Sequence, residues 1–266
     1  MSVKQERLAY LLGALYGDGS FSSKRIFFGA TDKEFVQKVA NLIDDLFRIK
    51  LKIRVQKLSL KNPKWRDYYK LNSKKLYKHL NKYNPKTVEI LPKFIKDGNS
   101  KVKALFIKGF FDAEGNVDVR SVKRKDGRTD IIRHLKCFSN NVELLQEIKQ
   151  LLYFLNIKSE IFRGKGKNYY VCIWNYKGLQ KFNTNIGFII QRKQRALNNA
   201  LNSYKEIQTR WDFQTYDMVL KLRKQKKIGA EKIKRKLLKK NLNIPKPTIE
   251  AWIYGRTKIT ANKMEV

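Results

Sequence analysis

Leu8-Ala9-Tyr10-Leu11-Leu12-Gly13-Ala14-Leu15-Tyr16-Gly17-Asp18-Gly19 is apolar nearly all round, carries small glycines and ends in one carboxylate. A relative of it returns as Ala104-Leu105-Phe106-Ile107-Lys108-Gly109-Phe110-Phe111-Asp112-Ala113-Glu114-Gly115. Asp18 and Glu114 hold the same place in the two copies, each followed by a glycine, and Gly13 and Gly109 stand at matching positions upstream. Each copy reads as a helix with no polar face, which belongs inside a protein. Glycine costs about 1 kcal/mol in a helix interior relative to alanine. Close approach of two helix backbones accounts for that cost, so the two copies are expected to pack on each other. Each helix ends at its acid, with Gly19 or Gly115 expected to take a left-handed C-terminal cap.

A helix C-terminus carries about half a negative charge from the backbone dipole. Two such ends side by side, each with an acid, make a strongly negative pocket. That pocket suits hard divalent cations, because Mg²⁺ prefers carboxylate, carbonyl and water oxygens. The plainer alternative is a buried helix pair whose terminal acids sit in solvent, and the matched second copy weighs against it.

These residues resemble the paired motifs of the LAGLIDADG homing endonucleases. Leu11–Gly19 matches the nine-residue pattern well and Ile107–Gly115 more loosely. Tyr16 stands where the family often has an acid, whereas Asp112 keeps it. The acid before the last glycine is present in both copies, as Asp18 and Glu114. The resemblance covers about residues 6–200. It implies Mg²⁺ (Mn²⁺ as a substitute) held by Asp18 and Glu114, with backbone carbonyls of Gly17 and Ala113 contributing. It also implies basic residues around the metals; no motif places them, and Lys93, Lys96, Lys101, Arg192 and Lys193 are the candidates, each equally suited to clamping a phosphate.

Composition points the same way. Lys and Arg number 59 against 23 Asp and Glu, a formal charge of +36 spread over the whole of the 266 residues. The natural partner is a polyanion, DNA or RNA. No apolar stretch reaches the roughly 20 residues of a membrane helix, and Met1–Arg7 does not look like a secretion signal. An intracellular protein is expected, in cytoplasm, nucleoid or organelle. Cys137 and Cys172 read as reduced buried thiols, and His79 and His134 stand alone, which argues against a nuclease built on a histidine–metal cluster.

Along the chain, Ser20–Ala30 reads as a hairpin turning at Ser22-Ser23-Lys24. Thr31 or Asp32 caps a helix in which Phe35, Val36, Val39, Leu42, Ile43 and Leu46 recur at helical spacing. Leu51–Lys57 alternates as a strand with Leu51, Ile53 and Val55 toward a core. A turn at Asn62-Pro63 leads to a return strand at Asp67–Leu71, and Ser73 caps a short helix. Residues 83–100 read as a connector, after which the pattern repeats: strands at Asn116–Lys123 and Asp130–Phe138 around Asp126-Gly127, a helix capped by Asn140 or Asn141, a hairpin of Ser159–Arg163 and Tyr169–Trp174, and helices from Lys177 and about Gln191. Asp32–Gln37 lines up with Asn141–Gln146, Ile49-Lys50 with Ile157-Lys158, and Tyr68-Tyr69 with Tyr169-Tyr170.

The expected fold is therefore α+β, with tandem αββαββα repeats in pseudo-twofold relation within a monomer. The first repeat with its connector occupies 1–96, the second 97–200, and a linker anchored by Trp211 occupies 201–215. The resemblance adds that each half presents a four-stranded antiparallel sheet as a saddle over the DNA major groove. Side chains placed to read base edges or hold phosphates there are Lys24, Arg25, Lys52, Arg54, Gln56, Arg66, Arg120, Lys123, Arg124, Arg133, Lys136, Arg163, Lys165 and Lys167.

From Tyr216 to residue 266 the character changes to a small all-α unit. Val219, Leu220 and Leu222 fit a first helix. Gly229 opens a second with Ile233, Leu237 and Leu238 on one side. Pro247 takes the first position of a third, which Gly255 ends. The last two helices resemble a helix-turn-helix DNA-binding domain, with Lys246, Thr248, Glu250 and Ala251 facing a groove; the alternative is a stabilising helical appendage. The expected function is Mg²⁺-dependent cleavage of both strands of double-stranded DNA at a long site, leaving 3′ overhangs. An intron-RNA maturase and a non-catalytic transcription regulator on the same scaffold are the rivals.

Overall fold

A computed structural model of the chain describes residues 2–57, 67–84, 90–123, 129–164, 166, 168–204 and 213–256. The expected turns at Asn62-Pro63 and Asp126-Gly127, Trp211, and Arg66, Arg124, Lys165 and Lys167 lie outside the described residues, as does the side chain of Lys123.

Two helices with apolar surfaces on all sides occupy the centre: α1 (Val3–Asp18) and α5 (Ser100–Glu114). Each ends at its acid. Around them the chain runs β1 (Gly19–Ser22), β2 (Arg25–Ala30), α2 (Lys33–Phe47), β3 (Arg54–Gln56), β4 (Tyr68–Ser73), α3 (Lys74–Leu80) and a short α4 (Lys93–Lys96). After α5 come β5 (Gly115–Lys123), β6 (Thr129–Ser139), α6 (Val142–Phe154), β7 (Glu160–Arg163), β8 (Tyr169–Ile173), α7 (Tyr176–Asn185) and α8 (Gln191–Asn202). The strands form two four-stranded antiparallel sheets with the same order, β1-β2-β4-β3 and β5-β6-β8-β7. The expected α+β repeat of helix, hairpin, helix, hairpin, helix is present in both halves.

The glycines of the central helices are there because the backbones touch. A Cβ on Gly13 would collide with the Phe106 carbonyl oxygen and lie 2.9 Å from the Phe110 nitrogen. One on Gly109 would collide with the Tyr10 carbonyl oxygen and lie 2.8 Å from the Ala14 nitrogen. The two clashes are mirror statements of one pseudo-twofold axis. That axis also pairs unlike side chains: the Tyr10 hydroxyl donates to Asp112 Oδ2 at 2.9 Å, while at the matching place Tyr16 meets Phe106 edge to face at 5.6 Å. Tyr16 thus replaces an acid with a ring, and its hydroxyl donates to the Tyr83 carbonyl at 2.7 Å.

Local signals explain most boundaries. Ser73 Oγ, Asn99 Oδ1 and Asn141 Oδ1 accept the N3 amides of α3, α5 and α6. Ser23 and Lys24 both take positive φ, 50° and 55°, as a two-residue hairpin turn needs. Arg48 (φ 55°) and Asn156 (φ 58°) close α2 and α6 in the same left-handed conformation, so the Ile49-Lys50 and Ile157-Lys158 alignment holds.

Several expectations are corrected. Gly19 and Gly115 are extended, not left-handed (φ −97° and −75°), because each helix runs straight into the first strand of its sheet. The strand expected from Leu51 is regular only over Arg54–Gln56, at the edge of its sheet, and Val55 is exposed instead of facing the core. The strand registers pair Ala30 with Tyr69 and Ser139 with Tyr169, so Tyr69, not Tyr68, is the counterpart of Tyr169.

The residues from Glu206 onward form a separate compact unit. It holds α9 (Phe213–Lys226), α10 (Ala230–Leu238) and α11 (Lys246–Ile253). Val219, Ile233, Leu237, Ile244, Ile249 and Trp252 make its core. Leu238 is exposed, one residue off the buried stripe. α11 starts at Lys246, so Pro247 takes the second helical position, where a missing N–H is equally harmless. Gly255 (φ 69°) follows its end. Among the described residues no helix is long and apolar enough to cross a membrane.

Candidate active site

Packing α1 on α5 through glycines brings the two helix ends together, and with them the acids. A Cβ on Gly17 would lie 3.1 Å from Cγ of Glu114. Burial, then the Glu114 charge, pushes Asp18 up to about 7; Asp32 adds to the rise and Lys193 opposes it. Burial also raises Glu114, against the pull of Lys193. Burial thus raises both carboxylates, and at Asp18 the neighbouring Glu114 charge adds to it, so the two acids share a site that favours added positive charge.

Lys193 is the cation the fold supplies. Its side chain is buried, and Nζ donates to the carbonyls of Phe111 (3.3 Å), Asp112 (2.5 Å) and Ala113 (3.0 Å). These carbonyls lie in the last turn of α5, where the helix dipole is negative, and that of Phe111 also accepts the Gly115 amide. Burial lowers Lys193, with Arg192 adding to the fall. Its place is fixed by Asp112, whose Oδ1 accepts the Ile189 amide at 2.9 Å and anchors the turn that starts α8. Burial holds Asp112 up to about 6, against those hydrogen bonds.

Arg192, one residue earlier, forms a two-point pair with Asp32 at 2.8 and 2.7 Å, and the Gln191 amide donates to Glu34 at 3.1 Å. The start of α8 therefore ties the second half to the start of α2 in the first. Asp32 is the positional cap of α2 but makes no capping bond, because Arg192 takes its carboxylate. The other expected support residues are elsewhere. Lys101 pairs with Glu6 at 2.8 Å and Lys96 with Glu147 at 2.9 Å. Lys93, Lys96 and Lys101 lie at or before the first turn of α5, roughly 20 Å along the helix from Glu114 at 1.5 Å per residue.

Each acid opens on its own concavity. One of about 360 Å³ contains Asp18 with Ser20, Phe27, Gly29, Tyr68 and Lys70. One of about 430 Å³ contains Glu114 with Tyr16, Phe138, Asn140, Asn141 and Asn168. Neither Tyr68 nor Lys70 carries a site signal in the sequence. The strand periodicity that would have found them depends on the register of β4, which is fixed only by pairing with β2. Tyr68 donates to the Gly29 carbonyl at 2.9 Å, and burial and the Asp18 charge raise its hydroxyl.

The groove-reading candidates divide by strand parity. Residues that alternate with the buried Ile26, Phe28, Leu71, Leu135 and Cys137 lie on the face away from the helices. Arg25, Arg54, Gln56, Arg120 and Lys136 are on that face, and Lys24 and Lys52 are in exposed turn or coil. Lys136 pairs with Asp118 at 2.8 Å, with Arg120 3.6 Å from the same carboxylate. Arg133 has the opposite parity: it donates to Ser203 Oγ and carbonyl at 2.6 and 2.8 Å and lies over the Tyr204 ring. It fastens the end of α8 and is not available to a groove. Arg163 shares the parity of Ile161, although it is exposed. On α11, Lys246 and Glu250 approach each other at 3.9 Å, with Thr248 half-buried.

Among the described residues no cluster of three or more His, Cys, Asp or Glu forms a metal site on its own. Two carboxylates still suit Mg²⁺, which retains several waters and binds through one or two acids plus substrate phosphate oxygens. The pair Asp18 and Glu114, whose charge Lys193 offsets in part, fits that requirement. The Gly17 carbonyl is a further oxygen donor beside them, whereas the Ala113 carbonyl already accepts from Lys193.

The family model of the LAGLIDADG-like domain matches residues 5–88 and 101–187, one match for each half. An uncharacterized protein of Methanocaldococcus jannaschii is 25% identical over 205 residues, 74% of this chain and 72% of that protein. The ribonucleoside-diphosphate reductase NrdEB subunit alpha of Bacillus subtilis is 23% identical over 178 residues; that segment is 62% of this chain but 16% of the reductase subunit. A variant of the homing endonuclease I-DmoI superposes with a TM-score of 0.50 at 20% identity, over 74% of this chain and all of that one. Full-length DUF199/WhiA from Thermatoga maritima superposes with a TM-score of 0.52 at 16% identity, over 98% of this chain and 95% of that one. These superpositions establish a shared fold.

Proposed function

The chain belongs to the LAGLIDADG-like domain family, and from that premise we propose that it is a metal-dependent, site-specific DNA endonuclease of the homing type. The observation that carries this reading is the convergence of Asp18 and Glu114 at two packed helix ends, where burial raises both acids and the Glu114 charge raises Asp18 further. A pair of acids in that state is costly to a protein that only binds DNA.

In this reading Asp18 and Glu114, with the Gly17 carbonyl, hold divalent ions, Mg²⁺ or Mn²⁺. Such ions lower the pKa of bound water and stabilise the leaving oxygen of an in-line phosphodiester displacement. The chain's own residues do the rest. Each acid serves mainly one strand, as the two separate concavities suggest. Lys193 holds the end of α5, and its charge favours the ionised form of both acids. The sheet faces carrying Arg25, Arg54, Gln56, Lys70, Arg120 and Lys136 contact the duplex, with phosphate contacts fixing orientation and base contacts fixing sequence. Residues 216–266 add a helix-turn-helix-like DNA contact through α11.

A second reading is DNA binding without cleavage, carried by the basic sheet faces with Arg25, Arg54, Arg120 and Lys136. Incubating a randomised duplex library with Mg²⁺ separates the two. Double-strand breaks at one long sequence, made by the wild type and not by Asp18→Asn or Glu114→Gln, are expected. Selection of a sequence with no cut would replace the endonuclease reading by the binding one, and selection of structured RNA alone would favour a maturase.

A further inference from the structure

The two sheets share topology but differ in the row of residues beside the acids. In the first half that row is Gly29–Lys70–Arg54, paired across β2, β4 and β3. In the second it is Phe138–Tyr170–Phe162, paired across β6, β8 and β7. Both rows lie on the face away from the helices. Gly29 and Lys70 line the Asp18 concavity, and Phe138 lines that of Glu114. The aromatic row therefore runs from the Glu114 pocket to the open edge of the sheet.

Its rings are in contact. Phe138 meets Tyr170 at 5.3 Å, Phe162 stacks on Tyr170 at 5.6 Å and 25°, and Trp174 meets Phe162 edge to face at 6.3 Å. Lys136 sits 5.5 Å over the Tyr170 ring. Phe162, at the sheet edge, remains 44% exposed. Cross-strand rings stabilise a sheet, but that does not call for the outermost ring to stand in solvent. A duplex presents base edges and phosphates to a sheet, which a basic row satisfies; ring faces have nothing to stack on there. Unpaired bases do offer their faces, and successive bases stack on aromatic side chains flanked by cations.

We propose that the Phe138–Tyr170–Phe162 row is a stacking platform for unpaired bases of single-stranded DNA next to the Glu114 pocket, while the Gly29–Lys70–Arg54 row holds duplex phosphates. This rests on the nucleic-acid reading above and makes the two halves chemically unequal: a strand opened at the second half, such as the overhang left by cleavage, is held there by its bases.

The test is binding of a labelled oligo(dT) of about 12 nucleotides to the whole chain by fluorescence anisotropy, in EDTA at about 0.2 M salt, beside an oligo(U) and a duplex of equal length. Phe162→Leu should weaken oligo(dT) binding about tenfold or more and leave duplex affinity unchanged. Phe162→Tyr should retain wild-type affinity, and Arg54→Ala should weaken the duplex alone. Equal oligo(dT) affinity in Phe162→Leu, an equal loss for the duplex, or a loss seen with oligo(U) only would each overturn the proposal. EDTA prevents cleavage, so the result is independent of the library experiment: failure to cut would remove the nuclease reading without touching this measurement.

Discussion

The first and second halves of the core follow one plan with different chemistry at corresponding points. Tyr16 and Asp112 occupy matching positions in α1 and α5, yet one is a ring bonded to a carbonyl and the other an acid that anchors the turn before α8. At the end of α5 a lysine lies on the terminal carbonyls. Beside the acids, one sheet offers Lys70 and Arg54 and the other Tyr170 and Phe162. In the neighbouring rows the assignment reverses, Phe27 standing where the second half has Lys136. Backbone contacts are therefore symmetric because the helix interface demands it, and side chains diverge wherever that demand ends.

The most disruptive way to break the comparison is to attack what the halves share. Gly13→Ala puts a methyl group into the Phe106 carbonyl, which belongs to a helix held on its other sides. A loss of about 3 kcal/mol or more is expected, read as a lowered midpoint in denaturant unfolding, and Gly109→Ala should match it. A tolerant Gly13→Ala with a sensitive Gly109 would disprove the equivalence.

The next effect separates the helix ends. Lys193→Met removes a buried cation from three carbonyls of α5 and should cost about 2 kcal/mol. Thermal unfolding measures the loss, and an unchanged midpoint would deny Lys193 its capping role.

The acids themselves should differ in sign from ordinary surface carboxylates. Asp18 has a folded pKa raised from 3.8 to about 7, so between those values the folded state binds more protons than the unfolded one. Metal-free stability therefore falls as pH rises from about 4 to about 7 and levels off above. Asp18→Asn should raise apo stability at pH 8 by about 1–2 kcal/mol, discounted for residual solvent access, and flatten that fall while abolishing cleavage. Glu114→Gln should shift apo stability in the same direction, because burial raises Glu114 too. The check is a melting series against pH in chelator; a wild-type stability that climbs over the same interval would contradict the burial of Asp18.

The smallest effect lies in the C-terminal unit. Leu238→Lys should change stability by less than about 0.5 kcal/mol, whereas Leu237→Ala, in the core of that unit, should cost about 2–4 kcal/mol. Comparable losses from both would place Leu238 in the core after all.

The sequence by itself determined the helix pair, the two repeats, the cap at Ser73, a cap at Asn140 or Asn141, and the pairing of Asp18 with Glu114. These follow from local periodicity, from glycines that have no use in a lone helix, and from polar side chains whose partners lie three residues away. Tertiary structure decided what depends on distant partners. Arg133 looked like a groove reader because charge is visible in sequence and strand parity is not; Ser203 and Tyr204 claim it. Lys193 was one basic residue among several until α8 laid it on the end of α5, and Lys101 was excluded by position along that helix. The aromatic and basic rows emerged only when β4 and β8 paired with their neighbours, since a row across a sheet joins residues whose spacing along the chain carries no signal. Local free energies are written in neighbouring residues, but register and long-range charge balance are settled by packing, and the chemistry of this site depends on the latter.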